Sequence, residues 1–468
     1  MEALNRGNPL AGERIVTDAA KIAAQSYGAG SVEAAEAHFE ASQFFHAAAK
    51  PEQVVAELRE AAKLVPKTDE QAAARFGYWF HLAAALDRAG DLAESESVLR
   101  QLVVELDQAY GELHSATATG QTALSGVLFE QGEIEEALDL IEGAVRTLHA
   151  LDDPGLAPAL ALRAFVIKAY SPVEASFPGE IDLDAELVEA LVNAALERVP
   201  QAAPQLALLA LSDVESLAEA VLGETHAARR AVLAQCVHTA AAAGDDDAQM
   251  RALDTMFDLA RRGGDELGQA DISLAMAEAH AAAGRQPEAH AAFERAAATA
   301  GSDARMLALG LARHAQYRAA LGEDEQAQAL IERSVEAARE SRDSTLIGSC
   351  LTTQGVLMQH AGLEHAAHKL EAALDLLQLG HPDADIATEH LEALEAGRPC
   401  GCFGDAELLS AVAEALNARL PDGLLRGVVQ DVDGFRVDLA RQPSEAEHEL
   451  VQSVLNEVMA ELAQPSTS

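Results

Sequence analysis

Residues 124–145 run LSGVLFEQGEIEEALDLIEGAV. Two helical runs meet at Gly132, where the chain must reverse. Glycine is the residue that adopts left-handed dihedrals there without a steric penalty. Glu133 follows at the positive end of the second helix, where a negative charge is favoured. Within that helix Ala137, Ile141 and Ala144 stand at i, i+4 and i+7, so they share one face. A single helix pair cannot cover such a face, and the stretch therefore predicts neighbours of the same kind stacked on it.

Those neighbours are present in the sequence. The same phrase, a helical run, a break and an acidic amphipathic run, recurs as LAAALDRAGDLAESESVLRQLV (82–103) and AAAAGDDDAQMRALDTMFDLA (240–260). It returns as AEAHAAAGRQPEAHAAFERAA (277–297), YRAALGEDEQAQALIERSVEAA (317–338) and VLMQHAGLEHAAHKLEAALDLL (356–377). The break glycines Gly90, Gly132, Gly244, Gly284, Gly322 and Gly362 fall in two blocks, spaced roughly 40 residues apart within each. A worn copy, FFHAAAKPEQVVAELREAAKLV (44–65), carries Lys50 in the place of the glycine. First helices are predicted near 31–49, 69–89, 112–131, 156–170, 225–243, 265–283, 302–321 and 343–361. Their partners fall near 51–65, 91–108, 133–150, 185–199, 245–262, 286–299, 324–340 and 364–378.

The residues resemble tetratricopeptide repeats. Trp79, Leu82, Ala83 and Gly90 match the first-helix signature and its turn, and Leu124, Ser125, Gly132, Ala137, Ile141 and Ala144 match nearly all of the repeat. The period exceeds the usual one of about 34. With segments such as YGELHSATATGQTAL (110–124) and LGHPDADIATEHLEAL (379–394), it is similar to the longer variety found in kinesin light chains. The resemblance spans residues 31–397. It implies an all-α solenoid of antiparallel helix pairs whose first helices line a concave face that holds another protein.

The expected division is an N-terminal segment (1–30), a first repeat block (31–170), an irregular junction with inserted helices (171–224) and a second block (225–397). SPVEASFPGEIDLD (171–184) puts two prolines into a long loop at the junction, and Pro200 and Pro204 frame a further helix. The end of the chain is different. A helix at 406–419 precedes LLRGVVQDVDGFRVDLA (424–440), where Val428, Val432, Val437 and Leu439 around Asp433–Gly434 predict a β-hairpin. A capped helix (443–462) with Ser444 and Glu447 in capping-box spacing follows. Residues 398–463 are thus expected to form a small α+β helix–hairpin–helix module, and 464–468 a loose tail.

Composition narrows the function. The net charge of −43 opposes anionic phosphates, so nucleic acid and anionic membranes are poor partners. Apolar residues make up 49% of the chain, enough to bury a large core, while aromatics at 4% favour packed helices rich in alanine over a sheet. No apolar run approaches signal-peptide or membrane-span length, so the chain reads as soluble and cytoplasmic.

No phosphate-cradling loop or strand–turn–helix serine is present, so no enzyme activity and no cofactor are expected. Cys400 and Cys402, separated by Gly401, are weak candidates for a thiol or metal site that His390 or His448 would have to complete; the plain reading is two reduced cysteines in a loop. Cys236 and Cys350 read as core residues. His360, His365 and His368 read as solvated, the latter two sharing a helix face.

The resemblance implies a groove. Aligning on the turn glycine gives Phe80, Ala84, Arg88, Thr122, Phe129 and Glu130 in the first block, and His238, Leu274, Glu278 and Gln316 in the second. Phe80 and Phe129 are the expected anchors, since aromatic contacts often dominate binding energy. The carboxylate clamp of chaperone-binding members is not expected with so few groove cations. A protein or peptide with a basic or apolar segment fits better. The expected function is a scaffold or adaptor; alternatives are a ligand-responsive regulator and a terminal thiol or metal module carried by the array.

Overall fold

The computed structural model describes residues 9–28, 30–65, 72–179, 181–378 and 380–396, with 416, 419–420, 425–431, 434–439, 450–451 and 454–455 beyond them. The chain divides into two compact units, residues 1–252 and 253–468. In the first, α1 (Pro9–Tyr27), α2 (Val32–Ala47), α3 (Pro51–Leu64), α4 (Ala72–Arg88), α5 (Leu92–Tyr110), α6 (Ser115–Gln131) and α7 (Ile134–Ala150) pack each on the next. They lead to α8 (Leu156–Tyr170), α9 (Ala185–Arg198), α10 (Pro204–Leu222) and α11 (Ala227–Ala243). Helix α12 (Asp246–Gly263) contains the unit boundary. The second unit holds α13 (Glu266–Ala282), α14 (Gln286–Thr299), α15 (Ala304–Ala320), α16 (Asp324–Ser341), α17 (Ser344–His360), α18 (Ala366–Leu374) and α19 (Pro382–Glu395). Here too successive helices pack in pairs, and α13, α15, α17 and α19 each touch the next in that series.

The turns explain the pairs. Gly132 stands at φ 86°, and its N–H bonds to the Leu128 and Phe129 carbonyls, satisfying acceptors left open at the end of α6. Gly90, Gly244, Gly284, Gly322 and Gly362 are likewise left-handed. In the worn copy the left-handed residue is Ala49 at φ 54°, not Lys50, which begins the next helix without a side-chain cap. Inside the pairs Ala137, Ile141 and Ala144 are wholly buried, and Ala289, Phe293 and Ala296 repeat the arrangement. Serines stitch the helices across: Ser95 Oγ donates to the Ala83 carbonyl at 3.0 Å and Ser125 Oγ to that of Ala137 at 2.7 Å.

Several elements differ from the sequence reading. Residues 9–27 form a helix where no element was expected. Helix α18 starts only at Ala366; His365 lies outside it at φ 73°, so His365 and His368 do not share a helical face. Helix α11, expected as a first helix, packs on α10 and α9, while α10 touches α8. Helix α10, which begins at Pro204, thus takes the place of a first helix and shifts the phase.

Helix α8 is enclosed along its length, Leu160, Leu162 and Phe165 included. It also carries the buried cations that hold the loop 171–184. Arg163 donates to the Ser176 carbonyl and, at 2.8 Å, to Glu142; Lys168 donates to the Glu174 carbonyl and pairs with Asp213, both at 2.8 Å. Each charge is compensated, as burial demands.

Beyond the helical array, strands β1 (Leu425–Asp431) and β2 (Gly434–Leu439) pair antiparallel with Val428 opposite Val437. The helices expected at 406–419 and 443–462 lie almost wholly outside the described residues, so an α+β module is not established.

Two glycines on α17 mark a close approach that the repeat pattern does not reveal. A β-carbon on Gly355 would fall 2.7 Å from the buried Leu370 side chain, and one on Gly348 2.7 Å from Leu377. Gly77, within α4, has open space at the same position. Thermal melting is therefore expected to move in opposite directions. Gly77→Ala gains stability by about 0.5–1 kcal/mol through helix propensity, whereas Gly355→Ala loses about 1–3 kcal/mol through overpacking. Equal effects of the two substitutions would contradict the packing of α17 on α18.

Candidate functional site

In the first unit a cavity of about 440 Å³ opens between first helices α4 and α6 and is closed by α8 and α9. Phe80, Ala84 and Asp87 line it from α4, Gly126 and Glu130 from α6, and Glu197 and Arg198 from α9. Arg198 reaches over α6, with its Nη1 3.8 Å from where a β-carbon on Gly126 would stand, an ordinary contact distance.

The charged groups in the cavity constrain one another. Glu130, though exposed, is pushed up to about 7, first by burial of its carboxyl region, then by the Asp87 charge and a hydrogen bond with Asp87; Arg198 pulls the other way. A carboxyl group beside another negative charge keeps its proton to a higher pH, because two like charges close together disfavour ionisation. Asp87 Oδ1 is buried with no hydrogen-bond partner. Burial lowers Arg198 against the pull of Glu130, Asp87 and Glu197.

Of the positions expected in the groove, Phe80, Ala84 and Glu130 come together here. Arg88 turns away, donating to the Ala84 carbonyl at 3.0 Å and approaching His46 at 3.3 Å. Thr122 is buried with its hydroxyl on the Ala118 carbonyl, and Phe129 packs against the core. His238 is exposed on α11. In the second unit, Glu278 is exposed and 3.9 Å from Arg313, while Leu274 and Gln316 are half-buried. Asp87 and Arg198 were not found from the sequence. Asp87 is adjacent to the expected Arg88, and Arg198 closes a helix in the disturbed region, where the repeat phase gives no guide.

A second cavity, of about 510 Å³, lies among α14, α15 and α16 and is lined by His314, Arg318, Gln326 and Arg333 with Leu307 and Leu311. His314 stacks on Phe293, and its Nε2 lies 3.2 Å from His290 Nδ1 and accepts from Arg318 Nε at 3.2 Å. Burial, then the Arg318 and His290 charges, push His314 down to about 4. Arg318 is already engaged by Glu323 and Gln326.

Other candidates resolve into structural roles. Burial pushes the Cys236 thiol up to about 12 and raises that of Cys350, to whose Sγ Ser334 donates. His390 is buried with Nδ1 2.7 Å from Gln359 Oε1. His360 is 4.0 Å from Asp324. Cys400, Cys402 and His448 lie outside the described residues. Among the described residues no group of His, Cys, Asp and Glu could hold a metal, and no helix is long and apolar enough to cross a membrane.

The helix pairs, left-handed turns and Ala–bulky–Ala faces are tetratricopeptide-like. No protein-family profile matches the chain, and no curated protein matches it. Among solved structures it is similar to nearly identical TPR-like repeats assigned to a kinesin light chain of Podosopora anserina. That likeness has 16% identity over 48% of this chain and 95% of the other, at TM-score 0.31. BtubC (BKLC) from P. vanneervenii aligns at 15% identity over 54% of this chain and 88% of its own, with TM-score 0.28. A tetratricopeptide repeat protein from Parabacteroides merdae aligns at 14% over 64% and 91%, with TM-score 0.28. At these scores the backbones do not superimpose as wholes, and the tetratricopeptide character rests on the pairs themselves.

Because the folded Glu130 carboxyl holds its proton above its ordinary value of 4.5, the folded state binds more protons than the unfolded one between pH 4.5 and about 7. That contribution is full below pH 4.5 and is lost as pH rises through about 7. The melting-temperature advantage of Glu130→Gln over the wild type is therefore expected to grow across this window. A difference independent of pH would contradict the raised Glu130 carboxyl.

Proposed function

We propose that the chain is a protein-binding scaffold or adaptor, and that the first-helix face of the first unit receives an extended segment of its partner. The observation that carries this reading is the cavity itself. It presents a half-buried aromatic ring, Phe80, beside charged groups, on the face that tetratricopeptide-like arrays use for binding. The net charge of −43 favours encounter with a basic or apolar segment and repels anionic ones. Of the other expected positions, Arg88 and Phe129 stand on the helices that form this face. Thr122 is buried within α6, and His238 lies on α11, outside the first-helix series; Glu278 and Gln316 are the counterparts in the second unit. We place the protein in the cytoplasm, without a catalytic role. Residues 398–463, with their strand pair, are read as a small module attached to repeat blocks at 31–170 and 225–397, the irregular residues 171–224 joining them.

Site-specific photo-crosslinking from position 84 in the native cell, followed by mass spectrometry of the adduct, tests the face directly. A partner peptide is expected to crosslink there, and its capture by the full chain is expected to fall about tenfold or more with Phe80→Ala or with Ala84→Arg, which fills the cavity. Normal binding of that partner by both variants, each shown folded by its melting curve, would overturn the assignment.

A further inference from the structure

The cavity among α4, α6 and α9 holds a pair of carboxyl groups that the fold does not consume. Most charged groups buried elsewhere in the first unit have a designated partner. Arg163 has Glu142, Lys168 has Asp213, and Arg229 has Glu215 at 2.8 Å and Glu219 at 3.1 Å. Asp87 and Glu130 have mainly each other, and Asp87 Oδ1 has no donor although it is closed to solvent. Both residues line the same cavity, so a ligand that supplies donors there would satisfy the pair without displacing a partner that the fold uses.

From this geometry we infer that the cavity is a subsite for one cationic side chain, an arginine or lysine of the partner segment, seated between Asp87 and Glu130 with its stem against Phe80. The inference rests on the protein-binding reading above and adds the chemistry of what is bound. The charges support it. With both carboxyl groups ionised, Asp87, Glu130 and Glu197 outnumber Arg198, so the cavity as a whole attracts a cation and repels an anion. A guanidinium has enough donors to satisfy both carboxylates at once. Phe80 supplies the apolar wall along which such a side chain lays its methylenes.

Proton linkage follows. The groups facing Glu130 are Asp87 and His81 from α4 and Glu197 and Arg198 from α9; α5 contributes Ser95 and Leu99, and α8 contributes Pro158, none of which carries charge. The proton held by Glu130 has to leave when a cation enters, because the cation stabilises the ionised form of that carboxyl group. Binding then strengthens as pH rises through the range in which Glu130 titrates.

The test uses the full chain and two dodecapeptide libraries, identical except that one carries a fixed central arginine and the other citrulline, which keeps the shape and removes the charge. Binding is read from the fluorescence of Trp79, the single tryptophan, and by calorimetry. The arginine library is expected to bind about tenfold or more tightly than the citrulline one. That preference is expected to be lost in Asp87→Asn and in Glu130→Gln. Wild-type affinity for the arginine library is expected to rise from pH 6 to pH 8, with proton release measurable at pH 7 in buffers of different ionisation enthalpy, and to stay flat in Glu130→Gln. Should Asp87→Asn fail to fold, Glu130→Gln alone decides, since that side chain is exposed. Equal binding of both libraries, with sensitivity to Phe80→Ala, would overturn the cationic subsite while leaving the protein-binding face intact. No binding of either library would overturn both.

Discussion

Everything in this structure depends on the close approach of helices whose contact faces are built from alanine. A helix with Ala, a bulky residue and Ala on one stripe can come near its partner because the small residues leave no ridge, and the bulky one fills the hollow that remains. Ala137, Ile141 and Ala144 do this in α7, and Ala366, Leu370 and Ala373 do so in α18. Where the approach tightens further, even a methyl group is too much, as at Gly348 and Gly355 opposite Leu377 and Leu370. An amphipathic pair of this kind leaves an apolar surface open until another covers it, so the constraint propagates from pair to pair.

The fold was legible in the sequence because its two signals are local. A turn glycine followed by an acidic residue and the 3.6-residue stripe after it can be read without knowing what lies across the contact. The departures came where a local signal is weak. In the worn copy Ala49 takes the left-handed turn in spite of its β-carbon, and with no glycine to mark the place the sequence points one residue late, to Lys50. The role of α10 as a first helix could not be read from its residues, because its place beside α8 is decided by the contacts of α8 and α9 and not by a turn motif of its own.

The candidate site was legible only in half. Phe80, Ala84 and Glu130 could be aligned on the turn glycine because they belong to regular repeats. Arg198 could not, since it comes from a helix that ends before Pro200 in the disturbed stretch, and only the packing of α9 brings it over Gly126. Asp87 shows a related limit: Arg88 was chosen as the position facing the groove, yet its guanidinium folds back onto Ala84 and His46 while Asp87 turns into the cavity. Side-chain direction on a helix changes by about 100° from one residue to the next, so a register error of one exchanges a surface residue for a lining one.

Helix α9 borders the first-helix face of α4 and α6, making a cavity where a plain repeat would leave an open groove. Spin labels placed on cysteines introduced at Ala84 and Ala194, with Cys400 and Cys402 replaced by serine and the buried Cys236 and Cys350 kept, test this by dipolar spectroscopy. Strong short-range coupling is expected, since both residues line the same cavity. Weak coupling between the labels in a folded chain would place α9 elsewhere and contradict this arrangement.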